Sequence, residues 1–301
     1  MVLSIRSGIE KEIHWALDRL LRISSGGGEN VPLKSYPGLI DALFEWPDWY
    51  AVEGHELYTD TTMMFAVPHE LQQKRRNAIV SLLVIRNCTW QDQNVNDLAY
   101  HPRTLPFILN ALYNVNPSVD ENSEFILHTI DFLYAICGRL RLPSVGTSRN
   151  NPLEPLLRIA STSNNRPTII SALTTITGLL SLPENAPHLS PNSAALDTAI
   201  RYLPLFVDSA LVDACLNYLH VHLSNASMLK AFLLHRDMPA VLRVLVSLLI
   251  NDQVEEKVIK DISPFINTMP VDEAPYKLHE LTPEERESLL PMPEPERCYE
   301  W

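Results

Sequence analysis

The chain has 301 residues, 46% of them hydrophobic and 20% charged, which is enough apolar material for a core and excludes disorder of the whole. Nine glycines against 23 prolines speak against a β-sandwich or barrel, whose turns consume glycine. They favour helices separated by proline-marked corners. A net charge of −12 lacks the basic face with which a protein holds phosphates.

In chain order, the first expected helix runs from about Ile9 to Ile23. Ile9, Ile13, Ala16, Leu17, Leu20 and Leu21 share one face, and Glu10, Glu12, Asp18, Arg19 and Arg22 the other. It stops at Ser24–Gly28. That triple glycine follows a helix and lacks the Gly-Lys-Ser/Thr ending, so it is no phosphate loop. A second helix is expected from Pro37 to about Trp46, ended by Pro47. Residues 47–73 show no period and read as a long loop pinned by aromatics, a candidate for partner contact.

Four strongly apolar helices follow, over Asn77–Trp90, Phe125–Cys137, Thr168–Leu182 and Leu211–Leu223. A helix that is apolar on most sides must be covered on most sides. Their starts are separated by 48, 43 and 43 residues, the period of HEAT and armadillo repeats. A second series lies between them. Ser35–Leu43, Arg103–Leu112 and Asp237–Leu245 each place a proline at the opening of an amphipathic helix, where it costs no hydrogen bond and presets φ. The expected fold is all-α, an armadillo/HEAT-like right-handed helical solenoid of about five repeats. It would carry a long inserted loop and an extended acidic tail. A single irregular helical bundle is the alternative, and it leaves the recurring proline corner unexplained. One helical-repeat domain is expected over residues 1–268, with the tail over 269–301.

The tail differs in charge. Residues 271–301 hold nine acidic side chains against three basic ones, half of the total net charge. Thr282-Pro283-Glu284-Glu285 is a capping box that starts a short helix through Leu290. The ending at Trp301 reads as a cut before a further module.

No catalytic signature is present: no G-x-S-x-G, H-E-x-x-H, Walker loop or dinucleotide fingerprint. The expectation is a non-enzyme with no cofactor and no metal. His14 and Asp18 stand one helical turn apart and read as a surface contact. His220 and His222 point in different directions and make a poor metal pair. His101 and His235 both precede proline corners, a repetition that argues for a structural corner. Cys88, Cys137, Cys215 and Cys298 are far apart, and three lie in apolar runs, as small buried hydrophobes do. The longest strongly apolar stretch, Val244–Ile250, is too short to span a bilayer.

Lys74-Arg75-Arg76 opposes the dipole at a helix start. It reads as a solvated first turn or as a contact for an acidic partner or nucleic acid. Peptide-binding armadillo grooves use asparagine and tryptophan at matched positions of successive helices. Only Asn87 and Trp90 fit that pattern, and the matching helices offer Gly138, Leu179 or His220 instead, which disfavours such a groove. The candidate partner-binding residues are Trp49, Tyr50, Tyr58, Phe65, Lys74, Arg75, Arg76, Asn87, Trp90, Tyr299 and Trp301.

Four segments carry a resemblance: Trp15–Ser24, Tyr36–Leu43, Arg75–Asn87 and the closing Pro293–Trp301. Together they resemble the armadillo-like region of the ARID/RFX-type subunit of SWI/SNF-class chromatin remodelers, RSC in fungi and PBAF in animals. The resemblance implies a nuclear, non-catalytic scaffold that binds other subunits of the remodeling complex. It implies nucleosome contact only indirectly or through modules outside this chain, and no membrane or small-molecule substrate. The alternative is a cytosolic armadillo-type adaptor that binds peptides or a signalling enzyme.

Overall fold

The computed structural model describes residues 1–26, 31–59, 67–142, 151–190, 193–205 and 207–250. Every regular element among them is helical. The α-helices are α1 (Val2–Ile5), α2 (Glu10–Ser25), α3 (Leu39–Trp49), α4 (Glu56–Thr59), α5 (His69–Cys88), α6 (Asp92–Ala99) and α7 (Thr104–Asn114). They continue with α8 (Asp120–Ile136), α9 (Leu153–Thr162), α10 (Arg166–Leu180), α11 (Ala194–Tyr202), α12 (Ser209–Leu223), α13 (Ala226–Leu233) and α14 (Met238–Ile250). Short 3-10 turns intervene at Leu33–Ser35, Cys137–Arg139 and Ala186–His188. The chain divides into two compact units, Met1–Leu189 and the residues from Ser190 onward. That boundary lies inside the stretch expected to form one repeat domain.

In the first unit the longest helices form a ladder. α2 packs on α5, α5 on α8, and α8 on α10. The shorter helices lie behind: α3 against α5 and α7, α7 against α8 and α9, and α9 against α10. This order of contacts is compatible with an α-solenoid. The core behind the ladder is aromatic. Phe44, Phe107, Phe125 and Phe132 are fully buried, with Phe107 edge-on to Phe125 and Phe44 tilted against Phe107 and Phe132. Each such side chain contributes about 1.5–3 kcal/mol through burial. In the second unit α11 packs on α12 and α12 on α13.

The apolar helices expected from sequence are α5, α8, α10 and α12. Side-chain caps start three helices at the end of this series. Asn165, Ser193 and Asp208 accept hydrogen bonds from Thr168, Leu196 and Leu211 N–H at the openings of α10, α11 and α12. α5 begins two turns earlier than its apolar run, at His69, because its first turns are a solvated polar stretch with no inward stripe to read.

The long loop expected over 47–73 is corrected. α3 continues through Pro47 to Trp49, a π-helical turn follows over Tyr50–Gly54, and α4 spans Glu56–Thr59. Pro47 does not end the helix because a buried stripe runs on past it: Leu43, Phe44, Pro47, Tyr50, Ala51 and Gly54. The widened turn, in which His55 N–H reaches Tyr50 carbonyl at 3.1 Å, is the kind of local adjustment that accommodates a proline in a helix. A side chain at Gly54 would press on the Trp49 ring, since a Cβ would stand 2.8 Å from it.

Two tethers recur along the chain. Asn94 is fully buried; its Oδ1 accepts from Leu33 N–H at 3.0 Å, and its Nδ2 donates to the Val31 carbonyl at 2.8 Å and the Cys88 carbonyl at 3.1 Å. Asn185, also fully buried, repeats this arrangement. Its Oδ1 accepts from Leu142 N–H at 2.9 Å, and its Nδ2 donates to Leu140 at 3.0 Å and Leu179 at 2.9 Å. Each asparagine pins the connector after an earlier helix to the end of the helix before it. The second tether is histidine. Nδ1 of His101 accepts from Arg103 N–H, and Nδ1 of His235 from Asp237 N–H. That leaves each Nε2–H to face a carboxylate, Asp41 at 3.6 Å and Asp197 at 3.0 Å. Each corner histidine thus bridges its own corner to a carboxylate on an earlier helix. Just before α9, Asn151 Oδ1 accepts from Leu153 N–H at 2.9 Å.

Candidate functional site

The outward faces of α5, α8 and α10 carry a polar stripe opposite their buried one. Arg86 of α5 reaches Asp131 of α8 at 3.6 Å, and Ser171 of α10 donates to the other oxygen of Asp131 at 2.8 Å. Arg86 also lies 3.3 Å from His128 Nδ1. Burial, and then Arg86 itself, hold the His128 imidazole below its ordinary range, so the ring is the neutral acceptor of that contact.

Beside this network lies a groove of about 480 Å³ between the C-terminal ends of α5 and α8 and the start of α6. It is lined by Arg86, Trp90, Asp92, Asp131, Tyr134 and Arg139, among others. Trp90 is 62% exposed and Tyr134 50% exposed, so two large aromatic side chains stand unburied at one depression. Gly178 of α10 closes the neighbouring wall. A Cβ there would meet the Cys137 sulfur and lie 3.7 Å from the Tyr134 ring, so glycine sets how closely α10 approaches α8.

The residues expected from sequence fare differently. Trp90 lies in the groove. Asn87, its expected companion, is buried and donates to Ser25 Oγ of α2 at 3.1 Å; it is a strut between two helices and is corrected as a groove residue. Tyr50 is corrected too. It is fully buried, its hydroxyl donates to Asn122 Oδ1 at 2.7 Å and its ring packs 4.6 Å from Phe125, so it offers nothing to a partner. Trp49 is half-buried, with Lys74 Nζ 5.9 Å over its ring. Lys74 also pairs with Glu70 at 2.7 Å, and the Arg75 guanidinium donates to the Glu121 carbonyl. Two members of the basic cluster are thus engaged within the molecule, and Arg76 is exposed. Phe65, Tyr299, Trp301 and the acidic tail lie outside the described residues, as does the Tyr58 side chain.

Sequence reasoning missed Tyr134, Asp92, Asp131, Arg86 and Arg139 as groove residues. The signal was present in α8, where Leu127, Asp131 and Tyr134 recur at helical spacing on the side away from the core. An apolar reading of that helix hides it.

Burial pushes the Cys88, Cys137 and Cys215 thiols up to about 12, about 11 and about 12, which removes the thiolate that reactivity needs. Ser193, Tyr218 and His222 form a buried chain, with Ser193 Oγ 2.7 Å from Tyr218 Oη and Tyr218 Oη 3.2 Å from His222 Nδ1. His14 and Asp18 are a surface pair at 3.0 Å. Among the described residues no cluster of His, Cys, Asp or Glu is arranged to hold a metal ion, and no helix is long and apolar enough to cross a membrane. No family model and no curated protein matches the chain.

Proposed function

We propose that this chain is a non-catalytic interaction scaffold, an armadillo/HEAT-like right-handed solenoid of about five repeats. In this reading it is a structural subunit of a SWI/SNF-class chromatin-remodeling complex in the nucleus. The observation that carries the scaffold reading is the groove on the ladder of α5 and α8, where Trp90 and Tyr134 stand exposed. Unburied aromatics beside a preformed depression are what a protein-binding surface presents. The paired tethers support the repeat reading. Asn94 and Asn185 each lie six residues beyond the helix-end carbonyl they bind, and His101 and His235 sit at equivalent corners. The chromatin assignment rests on the resemblance of Trp15–Ser24, Tyr36–Leu43, Arg75–Asn87 and Pro293–Trp301.

The test is affinity purification of the tagged chain from nuclear extract, followed by mass spectrometry. Recovery of a remodeling ATPase with its core subunits in fixed stoichiometry is the expected outcome. Scattered cytosolic partners without such an ATPase would defeat the chromatin assignment. They would favour the second reading, a cytosolic adaptor, which the same aromatic groove also suits.

A further inference from the structure

The groove between α5, α6 and α8 has a definable ligand chemistry, and this inference rests on reading the chain as an interaction scaffold. Its four charges are not equivalent. Arg86 and Asp131 face each other and are further held by His128 and Ser171, so an incoming charge gains little from either. That leaves Asp92 in the first turn of α6 and Arg139 just past α8, both exposed, one of each sign. The aromatic side chains decide between them. The faces of indole and phenol rings carry negative potential, which attracts a cation and repels an anion. Trp90 and Tyr134 both line the groove with half or more of their surface free. The molecule already uses this interaction within itself, at Lys74 over Trp49. The net charge of −12 adds a field that concentrates cationic partners near the surface.

We propose that the groove docks a peptide segment of a partner protein through one lysine or arginine side chain, held by Trp90 and Tyr134 and directed toward Asp92. Arg139 acts as the selectivity element. Its charge on the rim opposes a second nearby cation, so the site prefers an isolated basic residue to a densely basic run. Because Asn87 is committed to Ser25, recognition is anchored at one point and does not use an asparagine ladder along the peptide backbone.

The test is fluorescence anisotropy with the purified full chain and two labelled peptides, one of glycine, serine and isolated lysines, the other with glutamate in place of lysine. The lysine peptide is expected to bind and the glutamate peptide not to. Trp90→Ala and Tyr134→Ala are each expected to weaken binding by about tenfold and Asp92→Asn by about fivefold. Arg139→Glu is expected to tighten it. These side chains are exposed, so circular dichroism melts of the variants should match the parent. Preference for the glutamate peptide, or weaker lysine-peptide binding in Arg139→Glu, overturns the cation assignment. Unchanged affinity in Trp90→Ala and Tyr134→Ala, or no binding of the lysine peptide at all, overturns the site. If the tagged chain still recovers a remodeling ATPase in that event, the scaffold reading survives and only this groove is wrong.

Discussion

Single residues set this structure through what they exclude as much as through what they touch. Gly178 is the clearest case, because any Cβ at that position collides with the Cys137 sulfur. Gly178 is on a packed helix and Cys137 is buried in the 3-10 turn that ends α8, so neither can move away cheaply. Gly178→Ala gains helix propensity yet should destabilise by about 1–3 kcal/mol through overpacking, read as a lower urea midpoint. An unchanged or higher midpoint would show that α8 and α10 can separate at that level. His222 makes a prediction about pH. Burial lowers its imidazole from 6.5 to about 4, so the unfolded chain takes up the proton first as pH falls. The stabilisation is complete above about pH 6.5 and is lost through the window down to about 4, by about 3 kcal/mol. His222→Phe should flatten that part of the stability curve relative to the parent. Two curves falling in parallel would mean that other groups cause the acid loss. Neither feature was legible in the sequence. A glycine inside an apolar helix and a histidine near its end have many possible roles, and only the neighbouring helix selects one.

At the scale of elements, the connectors are held by side chains. Asn94 and Asn185 each satisfy an amide and a carbonyl of one connector and a helix-end carbonyl. Replacing either with alanine strands those buried backbone groups. The expected loss is about 2–4 kcal/mol, similar at the two sites because the geometry is the same. Chemical denaturation of both variants checks it, and a loss at only one site would contradict their equivalence. The long helices were readable because they are buried on most sides and each repeats its apolar residues with helical period. The expected break at Pro47 was misplaced, since local rules treat proline as a stop. In the fold, the burial of Tyr50, Ala51 and Gly54 outweighs the lost hydrogen bond and carries the helix on through a π turn. The short helices α6, α9, α11 and α13 went unread because eight to ten residues carry too little periodicity to stand out.

For the whole molecule, the division at Leu189 makes the first unit a body with its own ladder and aromatic core. A chain cut after Leu189 should retain cooperative thermal unfolding and its share of the helical circular dichroism signal. Loss of cooperativity would show that the first unit is not autonomous. The sequence by itself determined the helical class, the places of the long apolar helices and the burial of Cys88, Cys137 and Cys215, because each follows from local pattern or composition. Tertiary structure alone decided which surface residues meet. It placed Trp90 with Tyr134 and took Asn87 and Tyr50 into the interior. It also engaged Lys74 and Arg75 with neighbours. Those outcomes depend on which helix lies beside which, a relation between residues far apart in the chain that no local periodicity encodes.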